Sequence, residues 1–343
     1  MLTDADVFQS RTSMIGKIAR DTIYNMMDLL LLCFDARNLG EEKDVITICA
    51  ELLCVPDLAE DLWAGDSALR SLLDEAADRF PADGVPLLEL AAALAQAGRD
   101  SLAQMVSYLD RLPSYAVPEA LVPAGTAVAA LDDWTLQHDW YPERRLPKLV
   151  LPAGATGRLL PGASRLVCWR VSHSGWQQGL LFLDDLQREG QMGEQHVQPE
   201  TSERAGAMAR LLRAVMEHGT PEQARHLRPH IELVFPILER HYRWGCAPQP
   251  FVHHAAEVLA LHARVEPDYV WEHMDRNSRW SPGRLGELIE AHECVQRRYP
   301  LTQAFLQLLL NTVPGGRRPR GSCTLARTER GPIALLGMGA TFF

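Results

Sequence analysis

Residues 148–186 read KLVLPAGATGRLLPGASRLVCWRVSHSGWQQGLLFLDDL, a stretch in which short apolar runs are separated by glycines. Apolar runs bounded by turn residues are typical of β-strands joined by tight turns. Strands are predicted at about Lys148–Leu151, Thr156–Leu160, Arg165–Val171 and Trp176–Leu183. Four short strands are too few for a sandwich and fit a small SH3-like β-barrel. Because a module of this size is marginal alone, it is expected to pack on neighbouring helices.

The sequence on both sides of this β-module has the three- and four-residue apolar spacing of amphipathic helices. One long helix is predicted within Thr12–Phe34. Shorter helices are predicted at Lys43–Cys54, Leu58–Trp63, Ala68–Phe80, Pro86–Ala97, Ser101–Leu112, Ala205–Glu217, Pro221–Leu227, Ile231–Tyr242, Pro250–Arg264, Pro267–Met274, Arg284–Arg297 and Leu301–Thr312. Consecutive helices without strands favour stacked antiparallel pairs, and no fixed-period repeat is present. The predicted fold is therefore mainly α, an irregular α-solenoid interrupted by the β-module.

The predicted organisation has five parts. Residues 1–112 and 187–313 form helical solenoid segments, and residues 148–186 form the SH3-like β-module. Prolines accumulate at 113–147, where an irregular connector is predicted with one helical turn near Leu131–Gln137. Arginine, glycine and proline dominate residues 314–343, which are predicted to be a disordered tail. A basic patch for nuclear import or nucleic acid is the alternative interpretation of this tail.

Charge and cysteine content narrow the function classes. The chain has 44 acidic against 34 basic residues and a pI near 5.7, a balance that disfavours nucleic acid as a partner. Its seven cysteines include no C-x-x-C pair, which fits a reducing compartment and an intracellular protein. The longest apolar run, within Met26–Phe34, is much shorter than the roughly 20 residues of a membrane span. No direct membrane insertion is expected.

No established catalytic motif occurs in the sequence. A phosphate-binding glycine loop, a dinucleotide fingerprint and a G-x-S-x-G nucleophile elbow are all absent, so neither a cofactor nor a small-molecule substrate is expected. His226 and His230 have the i, i+4 spacing of two zinc ligands. Pro229 disfavours a continuous helix there, and no glutamate stands at the position of a zinc-protease base. A metal-dependent hydrolase is therefore the least favoured alternative, and no enzyme is predicted.

Aromatic residues of the β-module are the candidate binding residues. Trp169 and Trp176 lie within the predicted barrel, where one can fill the core and the other can face outward. Together with Tyr141 they form a hypothetical groove for a proline-rich peptide, as in SH3 domains. In the alternative interpretation, both tryptophans pack in the core or against the helices.

The order of features around the module resembles the nucleoporin 188 family. An apolar strand at Pro147–Val150 is followed by a P-x-G-x-x-G turn at Pro152–Gly157. A strand with an aromatic residue, Arg165–Val171, then leads to an S-x-S-x-W turn at Ser172–Trp176. The flanking helices are similar as well, so that the resemblance covers about residues 12–313.

This resemblance implies a structural constituent of the inner ring of the nuclear pore complex, at the nuclear envelope. The family's solenoids bind linker nucleoporins such as nucleoporins 93 and 98 and support transport of protein and mRNA between nucleus and cytoplasm. Family members are several times longer than this chain. The resemblance therefore implies an internal segment that carries the SH3-like insertion.

Overall fold

The computed structural model describes residues 13–34, 36, 39–65, 67–146, 148–161, 165–192, 197–244, 250–276 and 300–312. The predicted helix Arg284–Arg297 and the predicted tail 314–343 lie outside these residues. The chain divides into two compact units, Met1–Leu181 and Phe182–Phe343. Helices dominate both units and one small sheet lies in the first, which confirms the mainly α class. No helix of the described segments is long and apolar enough to cross a membrane.

In the described part of the first unit, six helices precede the sheet, in agreement with the apolar periodicity. They are α1 Met14–Cys33, α2 Glu42–Leu53, α3 Pro56–Ala64, α4 Ala68–Arg79, α5 Val85–Ala97 and α6 Arg99–Asp110. Serine caps start two of them, because the Ser13 and Ser67 hydroxyls accept from the amides of Gly16 and Arg70. Helix α5 is apolar nearly all round and lies in the centre, packed between α2 and α6.

A five-stranded antiparallel sheet follows α6. Its order is β1-β5-β4-β3-β2, and a 3₁₀ turn, Glu119–Leu121, follows β1. The strands are β1 Tyr115–Pro118, β2 Ala127–Ala130, β3 Asp133–Leu136, β4 Thr156–Leu160 and β5 Leu166–Trp169. Within the described residues β1 and β2 form the two edges and do not pair with each other. The sheet is thus open, and the predicted closed SH3-like barrel is not confirmed.

Two of the four predicted strands are wrong. Trp176–Leu183 lies inside helix α7, Gly175–Met192, where the buried residues Trp176, Gly179, Leu183 and Leu186 have helical spacing. A short apolar run such as LLFL is compatible with a buried helix as well as with a strand. Here the helical spacing of buried residues continues beyond the run, and the segment is a helix. Lys148–Leu151 is not a strand either, since only Leu151 pairs, in an isolated bridge with Trp140. The strands predicted at Thr156–Leu160 and Arg165–Val171 are confirmed as β4 and β5.

The predicted connector 113–147 contributes β1, β2 and β3 to the sheet. The helical turn predicted near Leu131–Gln137 is wrong, because Asp133–Leu136 is strand β3 and pairs with β2 and β4. Leu131 lies in the tight β2–β3 turn with a φ of 57°, a left-handed conformation that usually calls for glycine or asparagine. The sheet therefore draws on residues both before and after Pro147.

Among the described residues, backbone hydrogen bonds join the sheet to the helices at two places. Where the chain enters and leaves it, the Leu112 amide donates to the His173 carbonyl at 2.9 Å and the His173 amide donates to the Leu112 carbonyl at 3.1 Å. At the β1 edge, the Ala116 amide donates to the Phe80 carbonyl at 2.9 Å, directly after α4. These bonds satisfy edge amides that would otherwise be open to solvent.

The second unit continues from α7 with further helices. They are α8 Pro199–His218, α9 Pro221–His226, α10 Arg228–Trp244, α11 Pro250–His262, α12 Pro267–Arg276 and α13 Pro300–Thr312. A capping box opens α9, where the Gln223 amide donates to the Thr220 hydroxyl and the Gln223 side chain accepts from the Thr220 amide. Helix α11 packs against α8, α10 and α13, and small residues of α8 permit the close approach.

Gly157 of β4 has no room for a side chain, because a Cβ there would lie 2.8 Å from the buried Trp169 ring and 3.1 Å from Val167 Cγ1. We expect Gly157→Ala to lower the free energy of unfolding by about 1–3 kcal/mol through overpacking. Gly206→Ala in α8 is the matched control, because the nearest atom to its Cβ is 3.9 Å away. This change should stabilise by about 0.5–1 kcal/mol, since alanine is the better helix former. Urea unfolding measures both, and equal effects would contradict the packing argument.

Candidate protein-binding site

Trp169 lies at the centre of the sheet's core and has no exposed surface. The side chains around it are Tyr115, Val117, Leu136, Leu149, Leu151 and Val167. Trp140 meets the Trp169 ring edge-on, with ring centroids 6.4 Å apart. Trp169 is therefore a packing residue in this conformation, and its ring is closed to a ligand.

The other two predicted binding residues lie in different surroundings. Trp176 is in the first turn of α7 and only 5% exposed, whereas Tyr141 is 54% exposed in the segment after Trp140. The structure thus buries both tryptophans and leaves one tyrosine at the surface. It does not bring the three side chains together as an exposed aromatic groove.

A different cavity lies where the sheet meets the α4–α5 loop, with a volume of about 920 Å³. We call it the Trp134 groove. Its apolar lining comprises Ala82, Pro118, Ala120, Val122, Trp134, Leu160, Pro161 and Leu166, and its charged lining comprises Glu42, Arg79, Asp83, Glu119 and Arg165. The volume is that of a typical ligand site. The sequence signal that could have pointed to it is Trp134 directly after the acidic pair Asp132-Asp133.

Ion pairs fix the charged wall of the Trp134 groove. The Arg79 guanidinium is buried and pairs with Glu42 and, at 3.3 Å, with Asp83. Burial alone would lower the pKa of Arg79, but the adjacent Glu42 and Asp83 carboxylates raise it overall, so the side chain stays charged. Arg165 pairs with Glu119 on the opposite side. Three carboxylates against two guanidiniums leave the wall with one excess negative charge, which suits a segment with an apolar and a basic residue.

The two histidines of the metal hypothesis do not share a helix face. His226 is the last residue of α9 and is exposed, whereas His230 is buried in α10 after an intervening turn at Leu227. Across the described ranges, no group of three or more His, Cys, Asp and Glu side chains could hold a metal ion.

Other histidines of the second unit pair with carboxylates. His262 Nε2 lies 3.3 Å from Glu266 Oε2, and His273 Nε2 lies 3.5 Å from Glu239 Oε1. Burial lowers the pKa of His262, which favours its neutral form. The His273 ring also stacks on Phe235, with centroids 3.8 Å apart. We interpret these contacts as packing between α10, α11 and α12.

No protein-family model matches the chain. It is 24% identical over an alignment of 321 residues to Nucleoporin NUP188 of Homo sapiens, an alignment that covers 85% of this chain and 18% of the relative. The Mus musculus Nucleoporin NUP188 is 25% identical with the same coverage. The chain is thus a distant relative of nucleoporin 188, as the resemblance predicted. It spans less than a fifth of the length of these relatives.

Proposed function

We propose that the chain is a non-catalytic scaffold constituent of the nuclear pore complex, located in its inner ring at the nuclear envelope. The observation that carries this proposal is the relationship to Nucleoporin NUP188 across 85% of the chain. The helical architecture on both sides of the small sheet supports it. Because the alignment covers only 18% of these relatives, the function of the whole protein is assigned to this chain by inference.

The packing of the helices supports an irregular α-solenoid as the form of each helical segment. Helices pack on near neighbours, as α5 does on α2 and α6, and α11 on α8 and α13. Stacked helices offer long surfaces with grooves that accept short helical segments of partner proteins. The proposed partners are linker nucleoporins of the nucleoporin 93 and nucleoporin 98 type.

A localisation and binding experiment tests the scaffold proposal. The full chain, fused to a fluorescent protein, should concentrate at the nuclear rim and bind purified nucleoporin 93 or nucleoporin 98 directly. The control is an unrelated helical protein of the same size with the same tag, which should stay diffuse and bind neither. Diffuse fluorescence together with no binding to either linker would contradict the proposal.

The Trp134 groove supports a second candidate, in which the open sheet acts as an SH3-like peptide-recognition module on a helical adaptor. Trp134 is half-buried in the groove wall, and Pro118 and Val122 lie beside it. Trp134→Ala should weaken the binding of a proline-rich peptide with one basic residue by about tenfold, the usual scale of an aromatic contact residue. Tyr141→Ala, outside the groove, is the control for titration calorimetry. Equal weakening by both changes would contradict the groove as the binding site.

A further inference from the structure

The charged lining of the Trp134 groove is divided between a helical wall and a sheet wall. The helical wall holds Arg79, Glu42 and Asp83, which belong to α4, the first turn of α2 and the α4–α5 loop. The sheet wall holds Glu119, directly after β1, and Arg165, directly before β5. Two carboxylates share one guanidinium on the helical wall, whereas the sheet wall has one of each. The excess negative charge of the groove therefore belongs to the helical wall.

The ion pair of the sheet wall is held at two points. The Glu119 amide donates to the Arg165 carbonyl at 2.9 Å, and the Arg165 guanidinium donates to both oxygens of the Glu119 carboxylate. A guanidinium that meets both oxygens of a carboxylate compensates its charge well. A ligand cation would therefore gain little from contact with this wall.

On the helical wall, Asp83 is the carboxylate that a ligand can reach most easily. Glu42 makes the closer ion pair with Arg79, and its side chain is 28% exposed. Asp83 Oδ2 lies 3.3 Å from Arg79 Nη1, and its side chain is 42% exposed. The Arg79 side chain itself is buried, so it is poorly placed to meet a ligand anion. The helical wall thus presents a carboxylate to the groove.

The apolar part of the groove lies beside Asp83. Pro118, Leu166 and Leu160 are register partners across β1, β5 and β4, so they form one row at an end of the sheet. Ala82 packs against the side-chain cluster that contains Leu160 and Leu166. This contact places the next residue along the chain, Asp83, at the same row. A short segment that fills the groove therefore meets apolar side chains together with one carboxylate.

We propose that the Trp134 groove binds a segment of a partner protein in which an arginine or lysine adjoins apolar residues, and that Asp83 recognises the basic side chain. This inference rests on the peptide-recognition function proposed for the groove, and it adds the residue that determines the charge preference. A carboxylate beside an apolar surface attracts a cation and repels an acidic or phosphorylated segment. Asp83 is thus a specificity residue, and the apolar row supplies the remaining contacts.

Fluorescence anisotropy of the full chain with two labelled peptides tests the role of Asp83. Both peptides are rich in proline; one contains a single arginine, and the other has citrulline in its place, which keeps the shape and removes the charge. Wild-type protein should bind the arginine peptide more tightly. Asp83→Asn should weaken binding of the arginine peptide by about tenfold and leave the citrulline peptide unchanged, because only the charged side chain loses a partner.

Asp74→Asn is the matched control. Asp74 also lies four residues after an arginine of α4, with Oδ2 at 3.3 Å from Arg70 Nε, and its side chain is 53% exposed. It lies outside the Trp134 groove. The change removes the same charge from the same helical region, so the affinity for either peptide should stay within about twofold of wild type. Far-UV circular dichroism checks that both variants stay folded.

The outcomes separate the charge preference from the binding function of the groove. If Asp83→Asn weakened both peptides equally, Asp83 would only support the shape of the groove and the inference would be overturned. Equal binding of the two peptides to wild-type protein would overturn it as well. Weaker binding to Trp134→Ala without any effect of Asp83→Asn would remove the charge preference and keep the groove as a peptide site. An arginine peptide that did not bind at all would overturn both.

Discussion

Replacing Trp169 by alanine should lower the free energy of unfolding by about 3–5 kcal/mol, the range for deleting a large aromatic side chain from a core. Trp169 has no exposed surface and contacts side chains from β1, β3 and the segment around Leu151. No neighbouring backbone can collapse easily into the space, because Gly157 on β4 already lies against the ring. Urea unfolding followed by far-UV circular dichroism should show a large shift to a lower midpoint.

Tyr141→Ala is the control for this prediction. Tyr141 belongs to the same region of the chain but is 54% exposed, so its loss should change stability by less than about 0.5 kcal/mol. A small effect of Trp169→Ala, or equal effects of the two changes, would contradict the central position of Trp169. Because Trp169 is fully buried, weaker binding of a partner to Trp169→Ala would be an indirect effect of a destabilised sheet.

Acidification should destabilise the first unit through His173. Burial lowers the pKa of His173 from 6.5 to about 4, because the ring lies between Phe80 and Tyr115. The unfolded chain therefore binds a proton at a pH where the folded chain does not. The stability that the neutral His173 ring contributes is fully present above pH 6.5 and is lost progressively as the pH decreases towards 4. The pKa difference corresponds to about 3 kcal/mol at the lower limit.

His173→Phe separates this contribution from the rest of the acid response. Phenylalanine keeps an aromatic ring against Phe80 and cannot be protonated, so the decrease in stability between pH 6.5 and 4 should become smaller. The decrease should not vanish, since burial also lowers the pKa of His262 in the second unit. Urea midpoints measured across this pH range provide the test. An unchanged pH dependence in His173→Phe would show that the ring is accessible to water in the folded protein.

Sequence periodicity predicted the helical part of the fold well. Long elements such as α1 and α8 repeat the apolar spacing over several turns, so that one atypical residue does not change the prediction. Caps and prolines then locate the ends, as Ser67 does for α4 and Pro221 for α9. The resemblance to the nucleoporin 188 family was also recognisable from the sequence, because it depended on the order of the turns and apolar segments and not on how the strands pair.

The β-structure was predictable only in part, because strands depend on distant partners. β1 is four residues long and forms through its pairing with β5, which lies about fifty positions further along the chain. β2 and β3 were not predicted, because the sequence before Pro147 is rich in proline. Their hairpin also places Leu131 at a turn position that usually holds glycine, so the usual turn signal is missing. In α7, the run LLFL is compatible with either structure, and the residues that follow it determine the helix.

The candidate sites were harder to predict than the fold. Trp169 and Trp176 were predicted as candidate binding residues from their position in the β-module. Whether a tryptophan is buried depends on the residues that pack around it, and these cannot be identified from one sequence. Trp134 was not predicted, because its groove is formed by the α4–α5 loop, β1 and β5, which are far apart along the chain. The orientation of α1 was not predictable for a similar reason: apolar residues lie on both its buried and its exposed side, and periodicity alone does not tell which side the unit covers.

The paired amides of Leu112 and His173 have a consequence for genetic change in this protein. Two residues joined in this way have Cα atoms about 5.5 Å apart, a gap that one or two glycines bridge. An insertion or deletion of the sixty codons for residues 113–172 would thus leave α6 and α7 joined by a short loop. Cutting at residues 148 and 186 instead would remove two strands, β4 and β5, and the first two thirds of α7. Exon boundaries near positions 112 and 173 would be tolerated far better than boundaries inside the sheet.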